Sequence, residues 1–200
     1  MYFSSKTITV YDKGCATIFI LFLFYSSMVG IGCGNVGTSE SEIKQNTFKY
    51  FDLKGFIEKE AERLAERTSF TKTVFVNGEQ ETKPLSHIDA KAELMPFSSS
   101  DINKPAWSDQ YEIDSVFNQN KELIGLRYQS KDKKLKTKKM SIDFQKSKVV
   151  KVYIENATES SVATTYQTLT YRPEKGFSIE SRQDVSLMDE NQFKIEVSFQ

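Results

Sequence analysis

Met140-Ser141-Ile142-Asp143-Phe144-Gln145-Lys146-Ser147-Lys148-Val149-Val150-Lys151-Val152-Tyr153-Ile154 carries two apolar alternations of period two, parted by a polar pair. Successive side chains on a strand point to opposite faces, so Met140, Ile142 and Phe144 share one face of the first segment. Val150, Val152 and Ile154 do the same on the second. A connection as short as Lys146-Ser147 joins antiparallel neighbours, so the stretch reads as a hairpin with one apolar and one polar face.

The same rhythm extends in both directions. Tyr111, Ile113 and Phe117 alternate with Glu112 and Asp114, and Ile124, Leu126 and Tyr128 with Gly125 and Arg127. Downstream come Leu169 and Tyr171, then Phe177, Ile179, Val185 and Leu187, then Phe193, Ile195, Val197 and Phe199. The connections at Pro173 to Gly176 and Asp189 to Asn191 are also short. Seven strands in succession predict a curved antiparallel meander. Its apolar face needs a cover, either by curling around a helix or by closing toward a barrel.

Upstream the period changes. Leu53, Phe56, Ile57, Ala61 and Leu64 form a helical stripe beginning after Asp52, a plausible N-cap, and Gly55 weakens the helix. Thr71–Val76 and Glu79–Lys83 flank Asn77-Gly78, the pair best suited to a type I′ hairpin. A short helix is expected next, capped by Ser86 with Asp89 at N3, carrying Ile88, Ala92 and Met95 and stopped by Pro96. An irregular connection from Phe97 to Ser108 holds Trp107. The expected fold is therefore α+β, with seven to nine strands in a single domain over residues 48–200.

Cys15–Gly32 is a run of eighteen residues without a charge, preceded by Lys6 and Lys13. It ends in Gly30-Ile31-Gly32-Cys33, small residues before a cysteine, as in a bacterial lipoprotein signal. The expectation is cleavage after residue 32, acylation of Cys33, and a polar tether over 33–47. An uncleaved membrane anchor and a simply cleaved export signal are the alternatives. Gly32-Cys33-Gly34-Asn35-Val36-Gly37 satisfies G-x-G-x-x-G, but neither a short strand before it nor an amphipathic helix after it accompanies the motif.

Loss of residues 1–32 removes two lysines and one aspartate, so 27 basic and 27 acidic residues become 25 and 26. A near-neutral exported domain argues against nucleic acid as a partner. With Cys15 and Cys33 the only cysteines, the domain retains no free thiol, and His87 is its only histidine. No metal site, cofactor or catalytic residue is expected. Acids such as Glu112 and Asp114 alternate with apolar residues, the pattern of a solvated face, which leaves carboxylate-based hydrolysis as a minor reading.

Two features suggest ligand or partner contact. Lys134, Lys136 and Lys138 belong to the densest charge run, and on a strand they would share a face suited to phosphate-bearing lipid headgroups or an acidic partner. The other reading is a lysine-rich edge that discourages sheet pairing. Trp107 offers either a ligand platform or a plug for the open end of the sheet. Asn156-Ala157-Thr158 fits the N-glycan pattern.

Tyr50-Phe51-Asp52-Leu53-Lys54-Gly55-Phe56, Asp101-Ile102-Asn103-Lys104-Pro105-Ala106-Trp107 and Lys133-Lys134-Leu135-Lys136-Thr137-Lys138 together resemble a family of uncharacterised envelope lipoproteins of Bacteroidota-type bacteria. The resemblance implies a cell-envelope location, with the outer membrane and its periplasmic face favoured, and lends no activity. The functional expectation is a lipid-anchored protein whose domain binds an envelope protein or lipid ligand, or serves structurally. A carrier of lipid or acylated protein is the alternative, and it requires an apolar chamber between the sheet and the first helix.

Overall fold

The structure is a computed structural model that describes residues 48–185 and 191–200. The signal at 1–32, Cys33 with its flank Gly30, Ile31 and Gly32, the rest of the tether, and Leu187 and Asp189 lie outside the described residues. Within them are α1 (Leu53–Ala65), β1 (Phe70–Val76), β2 (Glu79–Leu85) and α2 (Ala90–Ser98). A 3₁₀ turn (Pro105–Trp107) leads into β3 (Tyr111–Phe117), β4 (Leu123–Ser130), β5 (Thr137–Gln145), β6 (Lys148–Glu159), β7 (Ala163–Arg172), β8 (Gly176–Val185) and β9 (Asn191–Phe199). No helix among the described residues is long and apolar enough to cross a membrane.

All nine strands form one antiparallel sheet in the order β2-β1-β9-β8-β7-β6-β5-β4-β3. The seven-strand meander is as expected, and the N-terminal hairpin docks on its far end, with Phe70 opposite Phe199 and Val76 opposite Phe193. The turns behave as their residues require: Asn77 and Gly78 have φ of 49° and 91°, and Lys146 and Ser147 have 49° and 61°. The sheet stays open, with β2 and β3 as its edges, so closure toward a barrel does not occur. Two helices already cover the apolar face, which removes the need for it.

Register explains the cover. One row across the sheet reads Val74, Ile195, Ile179, Leu169, Ile154, Met140, Tyr128 and Ile113. Most of its middle members are buried, and they share a core with Leu53, Ile57, Ala61 and Leu64 of α1 and Ala90, Leu94 and Phe97 of α2. The opposite face presents Phe75, Lys194, Glu180, Thr168, Glu155, Lys139, Gln129 and Glu112 in the adjacent row. That polar face carries ion pairs such as Lys139–Glu155, and Lys194 spans Glu180 and Glu196 at 3.1 and 2.7 Å.

Asp52 caps α1 as expected, its Oδ1 accepting from Gly55 N–H at 2.9 Å. Gly55 has a reason to be there: a Cβ would lie 2.2 Å from Asp52 Oδ2. The second helix corrects three expectations. Its N-cap is Asp89, which accepts from Ala92 N–H, and Ser86 lies outside it. Pro96 does not stop the helix, which runs to Ser98, and Ser100 and Ser99 hydroxyls donate to the Pro96 carbonyl at 2.7 and 3.0 Å. The buried face is Ala90, Leu94 and Phe97, whereas Ala92 and Met95 are exposed and Ile88 precedes the helix.

Tyr171 ties α1 to the sheet. Fully buried, it packs edge-on against Phe56 and Phe97 with ring centroids 6.1 and 5.9 Å away. Its hydroxyl donates to Glu60 Oε2 at 2.6 Å, and Arg63 donates to the same carboxylate and to the Pro173 carbonyl. Burial first, then the bond to Glu60, pushes the phenol well above its ordinary range.

Candidate functional site

The connection from Phe97 to Tyr111 and the loop between β4 and β5 meet at one corner of the sheet. Lys131 N–H donates to the Gln110 carbonyl at 2.9 Å, and Gln110 N–H donates to the Trp107 carbonyl at 3.1 Å. The loop Lys131–Lys136 is a series of bends and turns, with Asp132 Oδ1 accepting from Lys134 N–H at 2.8 Å. Lys134, Lys136 and Lys138 are therefore not three positions of one strand face, because β5 begins only at Thr137. The Asp132 turn and the burial of Leu135 and Thr137 hold this segment in a loop.

The loop still gathers its charges. Lys138 donates to the Lys133 carbonyl, and Lys136 donates to Ser99 Oγ at 3.2 Å. Burial pushes the half-buried Lys136 ammonium below its usual range, and the charge of Lys104 pushes it the same way. Lys104 in turn sits 4.0 Å above the Trp107 ring. In a 3₁₀ turn residues three apart eclipse one another, so Lys104, the N-cap, is placed over Trp107 by the backbone itself.

Trp107 is half-buried, with its ring centroid 6.4 Å from Tyr111. Below it three tyrosines meet edge-to-face: Tyr50 lies 5.7 Å from Tyr111 and 5.8 Å from Tyr128. Tyr50 Oη donates to the Ser108 carbonyl at 2.6 Å, and Tyr111 Oη to the Thr137 carbonyl at 2.9 Å. Burial raises the phenols of Tyr111 and Tyr128. Trp107 thus caps an aromatic cluster with one part while leaving another part exposed.

The first described residues enter at this corner. Lys49 pairs with Asp109, and its bond to that carboxylate lowers the Asp109 pKa. Asn103 holds the entry segment, accepting from Tyr50 N–H at 3.1 Å and donating to the Phe51 carbonyl at 2.9 Å. Seven lysines, at 49, 104, 131, 133, 134, 136 and 138, belong to the segments meeting here, against Asp101, Asp109 and Asp132. Sequence reading singled out Trp107 and the lysine run separately. It missed Lys49 and Lys104, although the Lys-Pro-Ala-Trp spacing that stacks Lys104 on the ring is visible in the chain.

Other candidates have structural employment. Asp101 is raised by burial and, less, by nearby Asp52, but it accepts from Asn103 N–H at 3.3 Å while Asp52 caps α1. No three His, Cys, Asp or Glu residues converge to hold a metal among the described residues. His87 is exposed. Asn156 is buried, donating to Ser100 Oγ at 2.9 Å and Gln167 Oε1 at 3.2 Å, which places this N-glycan pattern in the core. Comparison with protein-family models, curated proteins and solved structures found no match in any of the three.

Proposed function

We propose that this chain is a lipid-anchored envelope protein, acylated at Cys33, whose domain is a non-enzymatic binding module meeting anionic, phosphate-bearing headgroups through the Trp107–lysine corner. The observation that carries the reading is the shared location of that corner and the entry of the chain at Phe48–Tyr50. Cys33 precedes Phe48 by fifteen residues, a reach of at most about 50 Å, so an anchored domain stays within contact of its own leaflet. Clustered lysines near an anionic surface contribute about 1 kcal/mol each, and tryptophan suits the water–headgroup boundary.

The carrier alternative needs room for an acyl chain. Leu53, Leu64, Phe97, Met140, Ile142, Ile154 and Tyr171, all with at most 1% exposure, occupy the space between α1, α2 and the sheet, which favours the binding reading.

Trp107 is the only tryptophan, so its emission reports the corner directly. The full chain reconstituted in vesicles should show blue-shifted emission with phosphatidylglycerol and not with phosphatidylcholine. The shift should disappear in high salt and in the Lys104→Gln/Lys131→Gln/Lys136→Gln variant. Equal emission in both lipids would overturn the headgroup assignment. Intact mass of the membrane-extracted protein, with Cys33→Ala as control, tests the anchor separately.

A further inference from the structure

The two edges of the sheet are built differently. β2 exposes Glu79, Glu81 and Lys83 and carries Pro84, all devices that discourage a further strand. β3 has neither lysine nor proline. Its outer partner position is empty along Tyr111–Phe117 among the described residues, because its ladder runs to β4 alone.

The side chains on this edge are sorted by face. Glu112 and Asp114 lie on the polar face, with no ion pair among the described residues; Arg127, across from Asp114, is committed to Asp143 at 2.6 Å. On the other face Ile113 is 47% and Phe117 57% exposed, a large apolar area for an edge strand. Phe117 pairs with Leu123, and Leu123, Ile124 and Phe144 form the apolar half of an open groove of about 380 Å³ whose other half is Glu122, Lys146 and Ser147.

We propose that the β3 edge accepts an extended segment of a partner protein in which basic and apolar side chains alternate. Main-chain bonds to β3 supply the attachment, basic residues meet Glu112 and Asp114, and apolar residues extend the Ile113–Phe117 strip. A second copy of this chain fits poorly. Antiparallel pairing of β3 with itself sets acid against acid when like faces align, and sets acids on the apolar strip when they do not.

The probe is a synthetic Val-Lys-Val-Lys-Val-Lys-Val peptide added to the full chain, with the Val-Glu counterpart as control. Saturating peptide should slow amide hydrogen exchange in residues 111–117 at least tenfold and leave 79–85 unchanged. Glu112→Lys/Asp114→Lys, on exposed positions that leave the fold intact, should weaken the lysine peptide at least tenfold and admit the glutamate peptide. Three results would each overturn the proposal: no protection of 111–117, equal protection of 79–85, or binding indifferent to the charge swap. A dimer protecting 111–117 without peptide would assign the edge to a second copy instead.

Discussion

Tyr171→Phe removes one hydroxyl from the contact that fastens α1 to the sheet and leaves the ring in place between Phe56, Phe97 and Phe199. The lost bond is 2.6 Å long and ends on Glu60, whose side chain is 14% exposed, so it belongs to the charge-assisted, shielded class. Such bonds contribute about 1.5–3 kcal/mol. For a domain of this size about 2 kcal/mol lowers Tm by about 4–8 °C. Urea denaturation followed by circular dichroism measures the loss, with Tyr166→Phe, 42% exposed, as a control expected within about 0.5 kcal/mol of wild type. The pH dependence supplies a second arm. The folded phenol ionises above the unfolded value of 10.0, so above pH 10 the folded state holds the proton that the unfolded chain releases. The contribution is complete below pH 10 and falls by about 1.4 kcal/mol per pH unit above it, until the folded phenol itself ionises. Wild type must therefore lose stability faster than Tyr171→Phe above pH 10. A variant within about 0.5 kcal/mol of wild type at neutral pH, or with the same slope above pH 10, would refute the assignment.

Asp52→Ala and Asp89→Ala should each cost about 1 kcal/mol by chemical denaturation, whereas Ser86→Ala should cost almost nothing, since only the first two accept from a helix N–H. Gly176→Ala should destabilise by more than 2 kcal/mol, because at φ of 140° its Cβ would lie 2.0 Å from the Val197 carbonyl; Gly78→Ala, at 91° in open space, should cost about 1–2 kcal/mol. Lys136→Met should raise Tm at neutral pH. Below 10.5 the unfolded chain binds the proton more tightly than the folded Lys136, so wild-type stability rises with pH through the window under 10.5 and that rise should vanish in the variant.

The strands of the meander were legible because each reports its faces locally. Met140, Ile142, Val152 and Ile154 are buried where the alternation places them, and Asn77-Gly78 and Lys146-Ser147 adopt the positive φ that tight hairpins demand. Pro96 misled because proline at the seventh position of α2 lacks an N–H that the helix needs, yet its own carbonyl still serves Ser99 and Ser100 as the chain turns away. Met95 misled because a short apolar helix offers more than one stripe, and only packing against the sheet selects Leu94 and Phe97.

The corner around Trp107 shows the same division. Its residues were each visible in the chain, but Lys104 and Lys136 are far apart in sequence and meet through a turn at Asp132 and a 3₁₀ step at Pro105.

By itself the sequence determined the strand count of the meander, its turns at Lys146-Ser147 and Pro173 to Gly176, the first helix and its Asp52 cap, because period and turn chemistry act within a few residues. Tertiary structure alone decided that β1 joins β9, that the sheet stays open with an acidic and apolar β3 edge, and that Trp107 and the lysines share the corner where the chain enters. Those outcomes depend on which distant apolar faces bury one another, and no local pattern encodes that choice.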